Sequence, residues 1–212
     1  MAIYHKQQTK KDKIVLHHTM SSHNAINVIA GWEKNDNFVS TPYIIDGTGF
    51  VHSVYPDKYW SYNLGIKEPN HFISKACVPI ELTNWGNLSY RPARKKTKSE
   101  EKEGYYNAYG KYQFALDSKY VYQNKYREFN AWHKYTDQQI ESTYNLIADL
   151  AEKYNIDIHQ GILEYRDEPL SMFCMNEDAL NGKPGLWMHC NFRIDKLDLH
   201  PQPELIEMLL SL

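Results

Sequence analysis

The sequence predicts an α/β fold, a mixed central β-sheet flanked by helices, in a single domain spanning residues 1–212. Three observations predict it. KIVLHHT, residues 13–19, is a short apolar run with the length and composition of a buried strand. A capping signal at Thr136 opens a long stretch with helical apolar spacing. Strand-like and helix-like stretches alternate along the chain, which favours helices layered on a sheet.

The elements follow in order. After the strand at 13–19, Ser21 and Ser22 are candidates for a helix N-cap. Ala25, Ile26, Ile29 and Trp32 recur at near-helical spacing and predict an amphipathic helix to about Lys34. VSTPYIIDGTGFVHSVY, residues 39–55, reads as two strands around a glycine turn at 47–49. Pro42 confines the first of them to an edge or to an early strand position. ACVPIELT, residues 76–83, is another short strand. Residues 87–131 break the pattern with a charged run from Arg91 to Gly104 and a Tyr-dense stretch from Tyr105 to Tyr126. The charged run is expected to be a solvated loop. Thr136 and Gln139 then form a capping box, and Ile140, Tyr144, Ile147, Ala151 and Tyr154 mark one helix face. Residues 157–186 hold Pro169, Gly182, Pro184 and Gly185 and read as an irregular insertion. An extended segment is expected near 186–198. A terminal helix with Pro203 in its first turn carries Leu205, Ile206, Leu209 and Leu210.

Composition narrows the function. Lys plus Arg number 24 and Asp plus Glu 26, a net charge of -2, so no basic excess points to nucleic acid. No segment approaches the roughly 20 apolar residues of a membrane span. The N-terminal MAIYHKQQTKKDK lacks the apolar stretch of a secretory signal, so the chain is expected to be cytoplasmic as synthesised. Three cysteines, Cys77, Cys174 and Cys190, are too few and too far apart for a disulfide framework, and no CxxC pair suggests a thiolate zinc site. Seventeen tyrosines supply half-buried packing surface or a ring-rich ligand surface.

Two places among the ten histidines invite chemistry. His17 and His18 end an apolar strand, where a sheet opens onto a cleft. HCNFRIDKLD, residues 189–198, holds a histidine and then Lys196 and Asp198 two positions apart, on one side if the segment is extended. A cation and a carboxylate so placed also make an ordinary surface pair. Two histidines and a carboxylate are a standard ligand set for catalytic zinc. His17 or His18 joins His189 and Asp198 only if the first strand lies beside the C-terminal segment.

IVLHHT at 14–19, VSTPYIIDGTG at 39–49, VPIELTNWG at 78–86, YTDQQIESTYNLIADLAEKYNI at 135–156 and H-x6-K-x-D at 189–198 occur in a recognisable order. Together they resemble the zinc-dependent N-acetylmuramoyl-L-alanine amidases, the group that includes phage lysozyme-type amidases and peptidoglycan recognition proteins. The resemblance spans roughly 14–86 and 135–203, leaving about 87–131 and 157–186 as insertions in an amidase-like fold. It implies a Zn2+ cofactor held by His17, His189 and Asp198, with His18 and His200 as rivals. It assigns catalysis to Glu81, in the PIEL strand, and to Lys196, with Tyr43 as a reserve candidate. Trp60 and Asn63 fall where the family has a substrate-contacting segment, although its histidine is absent here. DLHP, residues 198–201, replaces the family's usual DPGP.

The implied reaction is hydrolysis of the amide between N-acetylmuramic acid and L-alanine in peptidoglycan or its fragments, as in a phage endolysin that reaches the cell wall after release. The implied partner is peptidoglycan or muropeptide, with no nucleic acid and no membrane insertion. A non-catalytic muropeptide-binding module and a zinc hydrolase for another amide are the alternatives.

Overall fold

The computed structural model describes residues 3–21, 24–35, 37–96, 99–110 and 113–212, of 94–96 and 99–101 the backbone only. Ser22 and His23 lie outside the described residues.

β1, Lys13–His18, is buried along its whole length. It pairs in parallel on both sides, which accounts for the apolar run of residues 14–16 at its centre. α1, Ala25–Lys34, follows, capped by Asn24, whose side chain accepts from the Ile26 amide at 2.9 Å. The cap is thus Asn24 rather than Ser21, whose own amide instead bonds the Asn84 carbonyl. Only Ala25 of this helix is buried, and Ile26 is 60% exposed, so its apolar stripe does not face the core.

β2, Tyr43–Ile45, and β3, Val51–Ser53, form the expected hairpin. Asp46 organises its turn by accepting from the Thr48 amide and hydroxyl. Gly49 holds φ +85°, and a Cβ there would sit 2.7 Å from the Gln138 carbonyl oxygen. Pro42 precedes the first strand residue, an early position that costs no ladder bond. After α2, Phe72–Ala76, comes β4, Cys77–Leu82, between β1 and β2.

The region 87–131 contains strands where the sequence suggested a loop. β5, Leu88–Arg91, the hairpin β6, Arg94–Lys96, with β7, Ser99–Glu101, and β8, Gly104–Asn107, cover the charged run. β9, Gln113–Phe114, joins β5 and β8 in a three-stranded sheet, while β10, Val121–Tyr122, pairs with β11, Trp132–His133. Leu88, Phe114 and Ala131 give this layer its own small core. A charge run in a short ribbon has the composition of a loop, so composition alone does not separate the two.

α3, Asp137–Tyr154, begins at its predicted cap, where Thr136 accepts from the Gln139 amide at 3.1 Å. The reciprocal half of the capping box is absent. Gln139 instead turns its amide inward and donates to the carbonyls of Ile45 and Thr83, each at 3.0 Å. It clamps the ends of β2 and β4 to the helix. Residues 157–186 fold as short helical turns with α4, Glu177–Leu180, and send Ile162, Leu163, Met172 and Phe173 into the main core. β12, Gly185–Met188, completes a sheet of order β12-β1-β4-β2-β3, parallel but for β3. The expected extension to 198 stops at Met188, because the chain enters α5, His189–Phe192. α6, Pro203–Leu210, starts on its proline and buries Leu205, Met208 and Leu209 against α3.

Among the described residues all three cysteines are free, and no helix is long and apolar enough to cross a membrane.

Replacing Gln139 with Leu removes its bonds to both carbonyls, of which that of Ile45 keeps the Thr83 amide as a donor, and should cost about 2 kcal/mol in chemical denaturation. A second structural anchor is Asp57, which accepts from Tyr43 (2.7 Å), Tyr154 (2.8 Å) and Lys153 (2.7 Å). Burial pushes its carboxyl up, but these three donors outweigh that and hold it below the usual range. A depressed carboxylate stabilises above its unfolded pKa of about 4, and that contribution is lost as pH falls through the folded value. Asp57→Asn should therefore be roughly 2 kcal/mol less stable at neutral pH, with the deficit shrinking in acid, as read from denaturation midpoints across pH.

Candidate metal centre

Strand register builds this site. His17 lies opposite Glu81 across β1 and β4, so both side chains project from the same sheet face. Leu16 lies opposite Met188 across β1 and β12, which places His189, the next residue, beside His17. The sharp exit from β12 is held by Asn191. Its side chain accepts from the Met188 amide at 2.7 Å and donates to the carbonyls of Met172 and Cys174. The Cys190 amide then bonds the Asp198 carbonyl at 3.2 Å, folding the 193–198 turn back onto the centre.

Three donor atoms converge as a result. Nδ1 of His17 is 3.1 Å from Nδ1 of His189 and 3.4 Å from Oδ2 of Asp198, and His189 Nδ1 is 3.0 Å from the same oxygen. All three residues are buried. His189 Nε2 lies 2.9 Å from the Leu64 carbonyl, which can only accept, so this nitrogen carries the proton. The neutral ring then presents a lone pair at Nδ1 toward a carboxylate and a second imidazole. A divalent cation resolves that crowding, and a carbonyl behind a ligating imidazole is the usual way to orient it.

Protonation agrees. Burial, followed by the nearby His189, pushes His17 down to about 4, so its ring is neutral at physiological pH. Burial pushes Asp198 up, but the adjacent His189 and His17 outweigh that and keep it ionised. Donors around a tetrahedral ion with bonds of ~2.1 Å lie ~3.4 Å apart, close to the spacings here. The residues present thus fit zinc in both donor type and spacing.

The centre faces a cleft of about 630 Å³ at the C-terminal edge of the parallel strands. Glu81, Lys196 and Asn63 line it, and α1 forms the opposite wall through Val28, Gly31 and Trp32. Burial, then the Asp198 charge, raises the Glu81 carboxyl well above its usual range, with Lys196 opposing. Asn63 donates to the Ser61 carbonyl at 3.1 Å, while its Oδ1 is buried without a partner among the described residues.

The other candidates lie elsewhere. Tyr43 is on the sheet face opposite Glu81 and is engaged by Asp57. Trp60 is not among the cleft residues. It stacks on His5 at 4.0 Å and donates to Gln7. His18 borders the cleft but turns its ring nitrogens away from the cluster, with Nδ1 2.6 Å from the Tyr135 hydroxyl and Nε2 3.1 Å from the Met20 sulfur. His200 is buried between the rings of Trp132 and Tyr135. Neither rival belongs to the three-donor cluster. The Leu64 carbonyl and Asn191, which orient the centre, were not anticipated. The first is main chain and leaves no trace in residue identity.

Comparison with known proteins bears on the fold and the family. No curated protein matches the sequence. Among solved structures, PlyL has a TM-score of 0.52 at 13% identity, over 98% of this chain and 88% of its own. The Ph2119 endolysin, from a Thermus scotoductus MAT2119 bacteriophage, has a TM-score of 0.50 at 13% identity, over 99% of this chain and 90% of its own. At such identity these likenesses establish the fold. The family model described as N-acetylmuramoyl-L-alanine amidase matches residues 7–178, most of the chain, and on that match the protein belongs to the N-acetylmuramoyl-L-alanine amidase family.

Proposed function

We propose that this amidase is zinc-dependent and hydrolyses the amide between N-acetylmuramic acid and L-alanine in the peptidoglycan wall, in the manner of a phage endolysin. The observation that carries the zinc assignment is the convergence of two imidazole nitrogens and one carboxylate oxygen within 3.4 Å of one another. Family membership supplies the substrate class. The shared fold of the Ph2119 endolysin is in keeping with the endolysin role, which stands as part of the proposal.

In this reading His17, His189 and Asp198 hold the ion, with His189 oriented by Leu64. Zinc, when bound, supplies Lewis acidity, polarising a carbonyl and making water nucleophilic near pH 7. Glu81 takes a proton from the attacking water and delivers it to the departing amine of L-alanine. Its elevated proton affinity suits both halves of that transfer. Lys196, on the cleft wall, donates to the carbonyl oxygen as negative charge develops there. Asn63 offers its unpartnered Oδ1 to an N–H of the substrate. A purely binding role would require neither Glu81 nor Lys196.

Two experiments test this. Glu81→Gln should retain one zinc per chain by metal analysis yet lose about 10²- to 10⁴-fold in turnover, while His189→Ala should lose the metal. Digestion of purified peptidoglycan by the parent should release L-alanine amino termini without new reducing sugar ends. Reducing ends, or full activity in Glu81→Gln, would refute the mechanism. Separately, Lys196→Met should keep the metal and lower kcat by about 10²- to 10³-fold with little change in KM.

A further inference from the structure

A second pocket, of about 710 Å³, opens beside the metal cleft. Three stretches of chain meet around it. Asn24 and Ile26 come from the start of α1, Asp46–Thr48 from the β2–β3 turn, and Gln113 to Tyr120 from the region between β4 and α3. Thr136 fixes the floor by donating to the Gly47 carbonyl at 2.9 Å. α1 also walls the metal cleft, through Asn27, Val28 and Gly31. One helix therefore separates two cavities at the same edge of the sheet.

The described lining is mostly uncharged. None of its residues is Lys or Arg, His52 is its one basic side chain, and the Lys119 ammonium beside it lies over the Tyr120 ring, 5.2 Å from the centroid. Asp46 is already engaged, by His52 Nε2 at 2.8 Å and by Thr48, so a cation would find no free carboxylate. What remains is amide, hydroxyl and ring surface. Tyr120 and Ile26 sit at this pocket with 43% and 60% of their surfaces exposed. Rings and aliphatic groups cover the C–H faces of a sugar. Gln113 already donates to the Glu103 carbonyl and Thr48 to Asp46, so their oxygens are left to accept, and the Ser118 hydroxyl can donate to hydroxyl and acetamido groups.

We propose that this pocket is a saccharide subsite that holds the glycan strand of peptidoglycan beside the sugar whose amide enters the metal cleft. The assignment rests on the function proposed above for that cleft. The subsite anchors a polymeric substrate and contributes nothing to the chemical step.

The direct test is titration of the full-length protein with the neutral N-acetylglucosamine tetramer, followed by NMR or calorimetry. The tetramer contains no amide of the kind cut in the cleft, so this measurement is independent of catalysis. The parent should bind it, and Tyr120→Ala and Ile26→Ala should each weaken binding roughly three- to tenfold. Both residues are solvent-exposed, and unchanged denaturation midpoints would establish that the variants are folded. In turnover, both variants should raise KM for polymeric wall by a similar factor while leaving kcat, and kcat/KM for a single-sugar muropeptide, unchanged. Absence of tetramer binding, or binding indifferent to both substitutions, overturns the subsite even if the amidase is active. Free stem peptide binding in place of the sugar, with the same sensitivity to the two variants, also overturns it. Tetramer binding lost in the variants of a protein that cuts no amide would instead retain the subsite and remove the catalytic reading.

Discussion

The parallel pairing of β1 with two partners is the constraint on which the rest of the structure depends. On one side it sets His17 against Glu81, and on the other it sets Leu16 against Met188. A shift of one residue in either pairing would turn a strand's side chains to the wrong face and dissolve the cluster. The core enforces the register from both sides, since Ile14, Val15 and Leu16 are fully buried. Gln139 reinforces it by tying the ends of β2 and β4 to α3 at the sheet edge that also carries the donor cluster.

The same alternation explains the different fates of two adjacent histidines. His17 and His18 have the same chemistry and nearly the same place in sequence, yet they face opposite sides of the sheet. One reaches the cluster. The other enters an aromatic stack in which Tyr135 and Trp132 enclose His200. This stack joins β11 and the start of α3 to the C-terminal segment. His200 serves there as a flat packing surface, which is why a histidine so near Asp198 takes no part in the donor set.

Much of the architecture was legible in the sequence because its signals are local. The apolar strands at 13–19 and 76–83, the Thr136 cap and the Pro203 start each depend on residues within a few positions of one another. What was not legible depends on distant partners. Residues 157–186 carry core side chains such as Met172 and Phe173, but short turns interrupted by Pro169 and Gly161 leave no periodicity to read. The ribbon across the charged run has a sequence of charged residues with no alternating apolar pattern. Within the site, the donor set was recovered from resemblance, whereas the withdrawal of Tyr43 to Asp57 and the Leu64 carbonyl behind His189 emerge only once the chain is folded.

His17 and His189 are 172 residues apart in the chain, and β12 is the last strand to be made. A growing polypeptide emerging from the ribosome can fold β1 against β4, then lay α3 across them, without possessing two of its three donors. Closing so long a loop is slow compared with local pairing. The donor cluster therefore forms only once residues 189–198 are present, and a chain halted before residue 189 carries His17 and Glu81 but lacks two of the three donors. The order of the strands along the chain thus makes this cluster a product of long-range closure and leaves no local segment that could build it alone.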